Sequence, residues 1–164
     1  MNMAPNILNV FLISGILLTG TGIAVSGEPA VVKVTLADTG SDHMAKDLGL
    51  GNHGGDKRMA TLKITAAPSI VSAGEVTFNV HNSSRSMVHE MVVAKLVDQD
   101  AALAYDESTG KLNEESVASL GEVPELDPGS AGSLSLKLEP GTYILFCNIP
   151  GHYMGGMWSL VTVE

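Results

Sequence analysis

Cys147, His152 and Met157 stand five residues apart in the segment Tyr143-Ile-Leu-Phe-Cys147-Asn-Ile-Pro-Gly-His152-Tyr-Met-Gly-Gly-Met157. A thiolate, an imidazole and a thioether on one short loop form a soft-to-borderline donor set. With a second imidazole from elsewhere they describe a mononuclear copper site, two nitrogens and a thiolate in a plane with a long axial thioether. Cu(I) prefers soft sulfur, whereas Cu(II) accepts imidazole and thiolate, so a site between the two preferences changes little when an electron arrives. Two upstream histidines could supply the second imidazole: His89, at the start of the apolar run Met91-Val92-Val93-Ala94, and His81, ahead of Asn82-Ser83-Ser84. Met154 is the alternative to Met157 as thioether. A lone cysteine in an apolar strand is ordinarily a core residue. The Pro-Gly-His and Met that follow Cys147 make it a ligand instead. The chain has no second cysteine, so an internal disulfide is excluded.

A looser group lies upstream. His43, Met44, His53 and Met59 occur in a polar, glycine-rich stretch over 37–59. Two imidazoles and two thioethers could converge on Cu(I) as a weak second copper site, although a solvated loop is the ordinary reading of such a segment. Its glycines at 49, 51, 54 and 55 argue against packing, so the stretch is expected to be mobile without metal.

The elements that would carry these residues read as strands. Leu62 and Ile64 alternate with Thr61, Lys63 and Thr65; Val76, Phe78 and Val80 alternate with Glu75, Thr77 and Asn79; Leu134, Leu136 and Leu138 alternate with Ser133, Ser135 and Lys137. This is the period of half-buried strands. Ala73-Gly74, Asp127-Pro128-Gly129 and Glu139-Pro140-Gly141 are turn signals between them. Residues 142–147 are apolar on both faces and should form a central strand, and 158–163 form another. Short strands at this spacing suggest a sandwich or barrel. The connection over 98–121 contains Ala101-Ala102-Leu103-Ala104 and Glu114-Glu115-Ser116-Val117, which suggest one or two helical turns. No internal repeat, second domain or heptad pattern is present.

Residues 6–25 are uncharged and largely apolar, then turn small at Ala24-Val25-Ser26. That pattern predicts a signal peptide over 1–26, with an uncleaved anchor as the alternative. The expected organisation is a single domain over 27–164, with an N-terminal strand and polar His/Met loop at 27–59 and the main domain at 60–164. The formal charge of −9 falls wholly after the apolar tract. Such a chain does not grip a nucleic-acid backbone, but it can be steered toward a basic protein.

The ligand spacing, the stretch Ala73-Gly-Glu-Val-Thr-Phe-Asn-Val, the His89 segment and the Pro-Gly-Thr-Tyr turn at 140–143 together resemble the cupredoxin family of blue-copper, plastocyanin–azurin-like proteins. The resemblance covers about residues 60–164. It implies an all-β Greek-key sandwich with a short helical connection, holding one copper ion that cycles between Cu(I) and Cu(II). It also favours His89 over His81, completing the set His89, Cys147, His152 and Met157. One position departs from the pattern: Glu90 follows the upstream histidine where many relatives have an Asn that ties the two ligand loops together. The implied activity is one-electron transfer through the edge of His152, with Pro150, Tyr153 and Met154 as an apolar docking rim. A monomer exported to the periplasm would serve a redox partner such as a basic cytochrome or oxidase, and would not stay inserted in a membrane. The alternative is periplasmic copper homeostasis or tolerance, sequestering excess copper together with copper-handling proteins. Copper oxidases and nitrite reductases need copper ligands in further domains, and a binuclear centre needs a second cysteine, so an enzyme is not expected.

Overall fold

The computed structural model describes residues 28–40, 44–52 and 55–164. The segment 1–26 expected to be a signal peptide, His43 and His53 lie outside these residues. Strand β1 (Ala30–Asp38) is followed by β2 (Leu62–Ala67), β3 (Ile70–Val71), β4 (Gly74–Asn82) and β5 (His89–Leu96). Then come β6 (Tyr105–Asp106), β7 (Lys111–Leu112), β8 (Ser119–Leu126), β9 (Ala131–Leu138), β10 (Gly141–Phe146) and β11 (Trp158–Val163). They form a four-stranded sheet in the order β2-β1-β4-β9, a five-stranded sheet in the order β3-β11-β10-β5-β8 and a two-stranded ladder β6-β7. The architecture is a Greek-key β-sandwich.

Alternation builds the first sheet. Val32, Val34 and Leu36 of β1 and Val76, Phe78 and Val80 of β4 point inward and are buried, while their neighbours face outward. They meet Met91, Val93, Tyr143, Leu145 and Val161 from the second sheet in one core. Each such side chain stabilises the fold by about 1.5–3 kcal/mol. Tyr143 also donates its hydroxyl to the Glu139 carbonyl at 2.7 Å, closing the Pro140-Gly141 turn.

The second sheet is buried on both faces. β10 lies at its centre, as its unbroken apolar run requires. Val92, Ala94, Ile144 and Phe146 face away from the main core and pack with Leu112, Val117, Leu50 and Tyr153. The cover they pack against corrects two expectations. The 98–121 connection contains the β6–β7 ladder, with Ala101–Ala104 irregular and a single helix-like turn closed by Val117 N–H on the Asn113 carbonyl at 3.1 Å. The only helix among the described residues is a 3-10 turn at Lys57–Met59. The polar stretch is packed over residues 48–50 and exposed at 46–47 and 55–59. Leu48 and Leu50 are buried, Leu48 N–H bonds the Met154 carbonyl at 2.9 Å, and Trp158 Nε1–H bonds the Leu48 carbonyl at 2.7 Å. Its glycines serve that packing: a Cβ at Gly49 would lie 2.8 Å from the Met154 sulfur and the Tyr153 ring.

Candidate metal centre

Cys147 follows directly on β10, and its N–H bonds the Met157 carbonyl at 3.1 Å, extending the β10–β11 ladder to the mouth of the ligand loop. The loop then folds on itself. His152 N–H bonds the Ile149 carbonyl at 2.9 Å and Met157 N–H bonds the His152 carbonyl at 3.0 Å. Gly151 takes φ +81°, a conformation that strains other residues. Its N–H bonds the Gly110 carbonyl at 2.8 Å, which ties the loop to the turn between β6 and β7.

His89 is the first residue of β5 and arrives from the neighbouring strand. Its Nδ1 lies 3.3 Å from Nδ1 of His152, which in turn lies 3.3 Å from Cys147 Sγ. The donor atoms of His89, Cys147 and His152 all lie within 4.8 Å of one another. His81, the alternative histidine, is exposed on β4 with Nδ1 3.2 Å from the Ser130 carbonyl, and is not part of this group. Met157 is fully buried in the same core as Cys147. Met154 packs in the outer cluster, where its sulfur accepts from Asn52 Nδ2 at 3.5 Å.

Burial governs the protonation of these groups. It pushes the Cys147 thiol up to about 12 and, with the neighbouring His89, pulls His152 down to about 4. His89 is lowered for the same reason. Both imidazoles are therefore neutral lone-pair donors at neutral pH, and the thiol yields a proton when a metal binds. Two backbone N–H groups await the resulting thiolate, Glu90's at 3.5 Å and Ile149's. Two neutral imidazoles, a thiolate and a buried thioether suit one copper ion.

Glu90 stands at the position where an Asn is expected to fasten the two loops. Its carboxylate is buried, and the bond between the His89 strand and the cysteine is made by its backbone N–H, 3.5 Å from Cys147 Sγ. Burial raises this carboxyl above its ordinary value, with Lys111 opposing. The Asn148 side chain fastens the same loop outward: Oδ1 accepts Leu112 N–H at 2.7 Å, and Nδ2 donates to the Leu112 carbonyl at 3.0 Å and to Glu114 at 2.8 Å.

The model of the copper-binding plastocyanin/azurin family matches residues 54–164. The chain belongs to that family. Among solved structures, this cupredoxin resembles reduced auracyanin from the photosynthetic bacterium Roseiflexus castenholzii, at 20% identity over 82% of this chain and 96% of that one, with a TM-score of 0.51. Auracyanin B is similar at 22% identity over 85% and 93%, TM-score 0.51. Rusticyanin from Thiobacillus ferrooxidans is similar at 15% identity over 82% and 77%, TM-score 0.51. These likenesses establish the fold. No curated protein sequence matches the chain.

The docking rim needs one correction. Tyr153 is buried, packed tilted against Tyr105 and edge-on against Phe146, so it is not a surface residue. Pro150 is exposed and Met154 half-buried, and Met44 lies against Gly151 beside them. Of the four residues read as a second site, Met44 packs against the main core and Met59 is 69% exposed on the 3-10 turn. The other two, His43 and His53, are not among the described residues.

Two inward polar residues escaped the sequence reading, and the strand period marks both. Asp38 follows Val32, Val34 and Leu36 on the buried side of β1, and Asn82 follows Val76, Phe78 and Val80 on the buried side of β4. Asn82 donates to the Met87 and Leu126 carbonyls at 2.9 and 2.8 Å, anchoring the loop that leads into His89. Its side chain is fully buried in that role.

Proposed function

We propose that the chain carries single electrons between redox proteins, with one type 1 copper ion that would be held by His89, Cys147, His152 and Met157. The observation that supports this most is the convergence of the three donor groups in a buried frame, with His152 Nδ1 3.3 Å from both His89 Nδ1 and Cys147 Sγ and all donor atoms within 4.8 Å of one another. Copper supplies the Cu(II)/Cu(I) couple that accepts one electron from a donor protein and passes it to an acceptor. The protein's part is to hold donors of both kinds nearly still and to keep water away. The loop's internal hydrogen bonds, the Glu90 N–H and the Asn148 side chain all resist rearrangement of the ligands. His89 and Cys147 are wholly buried and His152 is 4% exposed, so the short route to the surface runs through the His152 ring. Exposed Pro150 and half-buried Ile149 surround it with apolar surface suited to brief docking.

The copper-tolerance alternative leaned on a mobile His/Met loop. Of its two methionines, Met44 packs against the main core while Met59 is exposed, so the described residues do not bring the two thioethers into one site. Export to the periplasm is part of the proposal and rests on the N-terminal apolar tract. The test is the spectrum of copper-loaded protein. Cu(II) protein is expected to be intensely coloured by thiolate-to-copper charge transfer, and Cys147→Ser to abolish that colour. A colourless wild-type complex would sink the proposal.

A further inference from the structure

Asp38 closes β1 at an inward-facing position, directly behind His89. Its side chain is 6% exposed and that of His89 is 0% exposed, with Asp38 Oδ2 3.8 Å from His89 Nε2. Among the described residues, these two atoms are the buried side-chain nitrogens and oxygens that lack a hydrogen-bond partner. Each is the unmet need of the other. The separation is too short for a water to sit in line between them, and a shift of about 1 Å brings the pair to hydrogen-bonding distance.

The rest of the carboxylate is already committed. Oδ1 accepts the Gly40 N–H at 2.7 Å, and the nearby Ser84 hydroxyl holds the carboxyl below its usual range. Ser84 Oγ accepts Met87 N–H at 2.8 Å within the loop before His89, and Oδ2 is left without a partner, facing the imidazole. A neutral imidazole carries one N–H. If that hydrogen sits on Nε2, the Nδ1 lone pair is free toward Cys147 and His152.

We infer that Asp38 is a positioning residue for the metal centre: it accepts the Nε2–H of His89, fixes the tautomer that presents Nδ1 as ligand, and places a negative charge behind that ligand. The inference rests on the copper reading above. A carboxylate behind a ligating imidazole makes it a better donor. Its charge favours the ion in its higher oxidation state, and so lowers the reduction potential.

Two variants separate the hydrogen bond from the charge. In Asp38→Asn the amide oxygen still accepts the Nε2–H, but the charge is gone; in Asp38→Leu both are gone. The 15N and 1H resonances of the His89 ring in metal-free protein report the tautomer. They are expected to show Nε2–H in wild type and Asp38→Asn, and a shift toward Nδ1–H in Asp38→Leu. Copper affinity of Asp38→Leu should fall by about 10–100-fold. Asp38→Asn should raise the reduction potential by about 59 mV for each tenfold change in the ratio of Cu(II) to Cu(I) affinity. A purely structural role would lower stability and leave the tautomer and potential unmoved. Wild-type His89 in the Nδ1–H form, or an unchanged potential in Asp38→Asn, would overturn the inference. Should Asp38→Leu not fold, the wild-type tautomer and the Asp38→Asn potential decide the matter. Because the tautomer is read without copper, it stands apart from the colour test of the functional proposal.

Discussion

Each ligand residue has chemistry that its own surroundings set. Cys147 is held as a thiol by burial, near 12, while His152 stays neutral down to about 4. One proton must therefore leave for each copper bound through the thiolate. Apparent affinity is expected to rise about tenfold per pH unit between about pH 6 and 9, where the thiol is the group that loses its proton. Competition with a chelator of known pH dependence measures the slope; a flat profile would exclude thiolate ligation. Below that range the slope steepens, because a protonated imidazole cannot ligate. The two methionines separate in the same way. Met157 shares the buried core with Cys147, whereas the Met154 sulfur is engaged by Asn52 on the far side of the sheet. Met157→Leu should keep copper and raise the reduction potential, since a long axial thioether tunes a site without dominating its affinity. Met154→Leu should leave potential and spectrum alone, and voltammetry of the two variants distinguishes them.

The strands were legible because one face of each alternates. β2, β4, β9, β10 and β11 stand where the apolar period placed them, and the five-residue spacing of Cys147, His152 and Met157 marked the loop. What the period could not reveal was a second layer. Leu50, Leu112 and Val117 are isolated apolar residues among polar neighbours, and no period marks them because their partners lie on a distant strand. The inward polar residues Asp38 and Asn82 were hidden for the opposite reason, since alternation was followed only through its apolar members. Asn148 is the joint between the layers, filling the hydrogen-bonding needs of Leu112 on both N–H and carbonyl. Asn148→Ala leaves those two buried groups unpaired. It is expected to cost about 1–3 kcal/mol in urea unfolding of the metal-free protein, and to broaden the distribution of copper environments seen by electron paramagnetic resonance.

Over the whole molecule, a net charge of −9 provides a long-range field. Electron exchange with a basic partner should slow by about tenfold or more as salt is raised from low to physiological strength, as stopped-flow mixing would measure. A rate indifferent to salt would point to a neutral docking face around Pro150. The hydrogen bond from Cys147 N–H to the Met157 carbonyl has a broader consequence. The sandwich is already zipped shut when the chain enters the ligand loop, so the loop hangs from a finished hairpin as an interchangeable cassette. Closing a somewhat longer or shorter loop at that point changes the entropy by only a fraction of a kcal/mol per few residues. Changes of loop length that keep Tyr153 buried and the Leu48–Met154 hydrogen bond intact can therefore retune the metal at little cost to the scaffold.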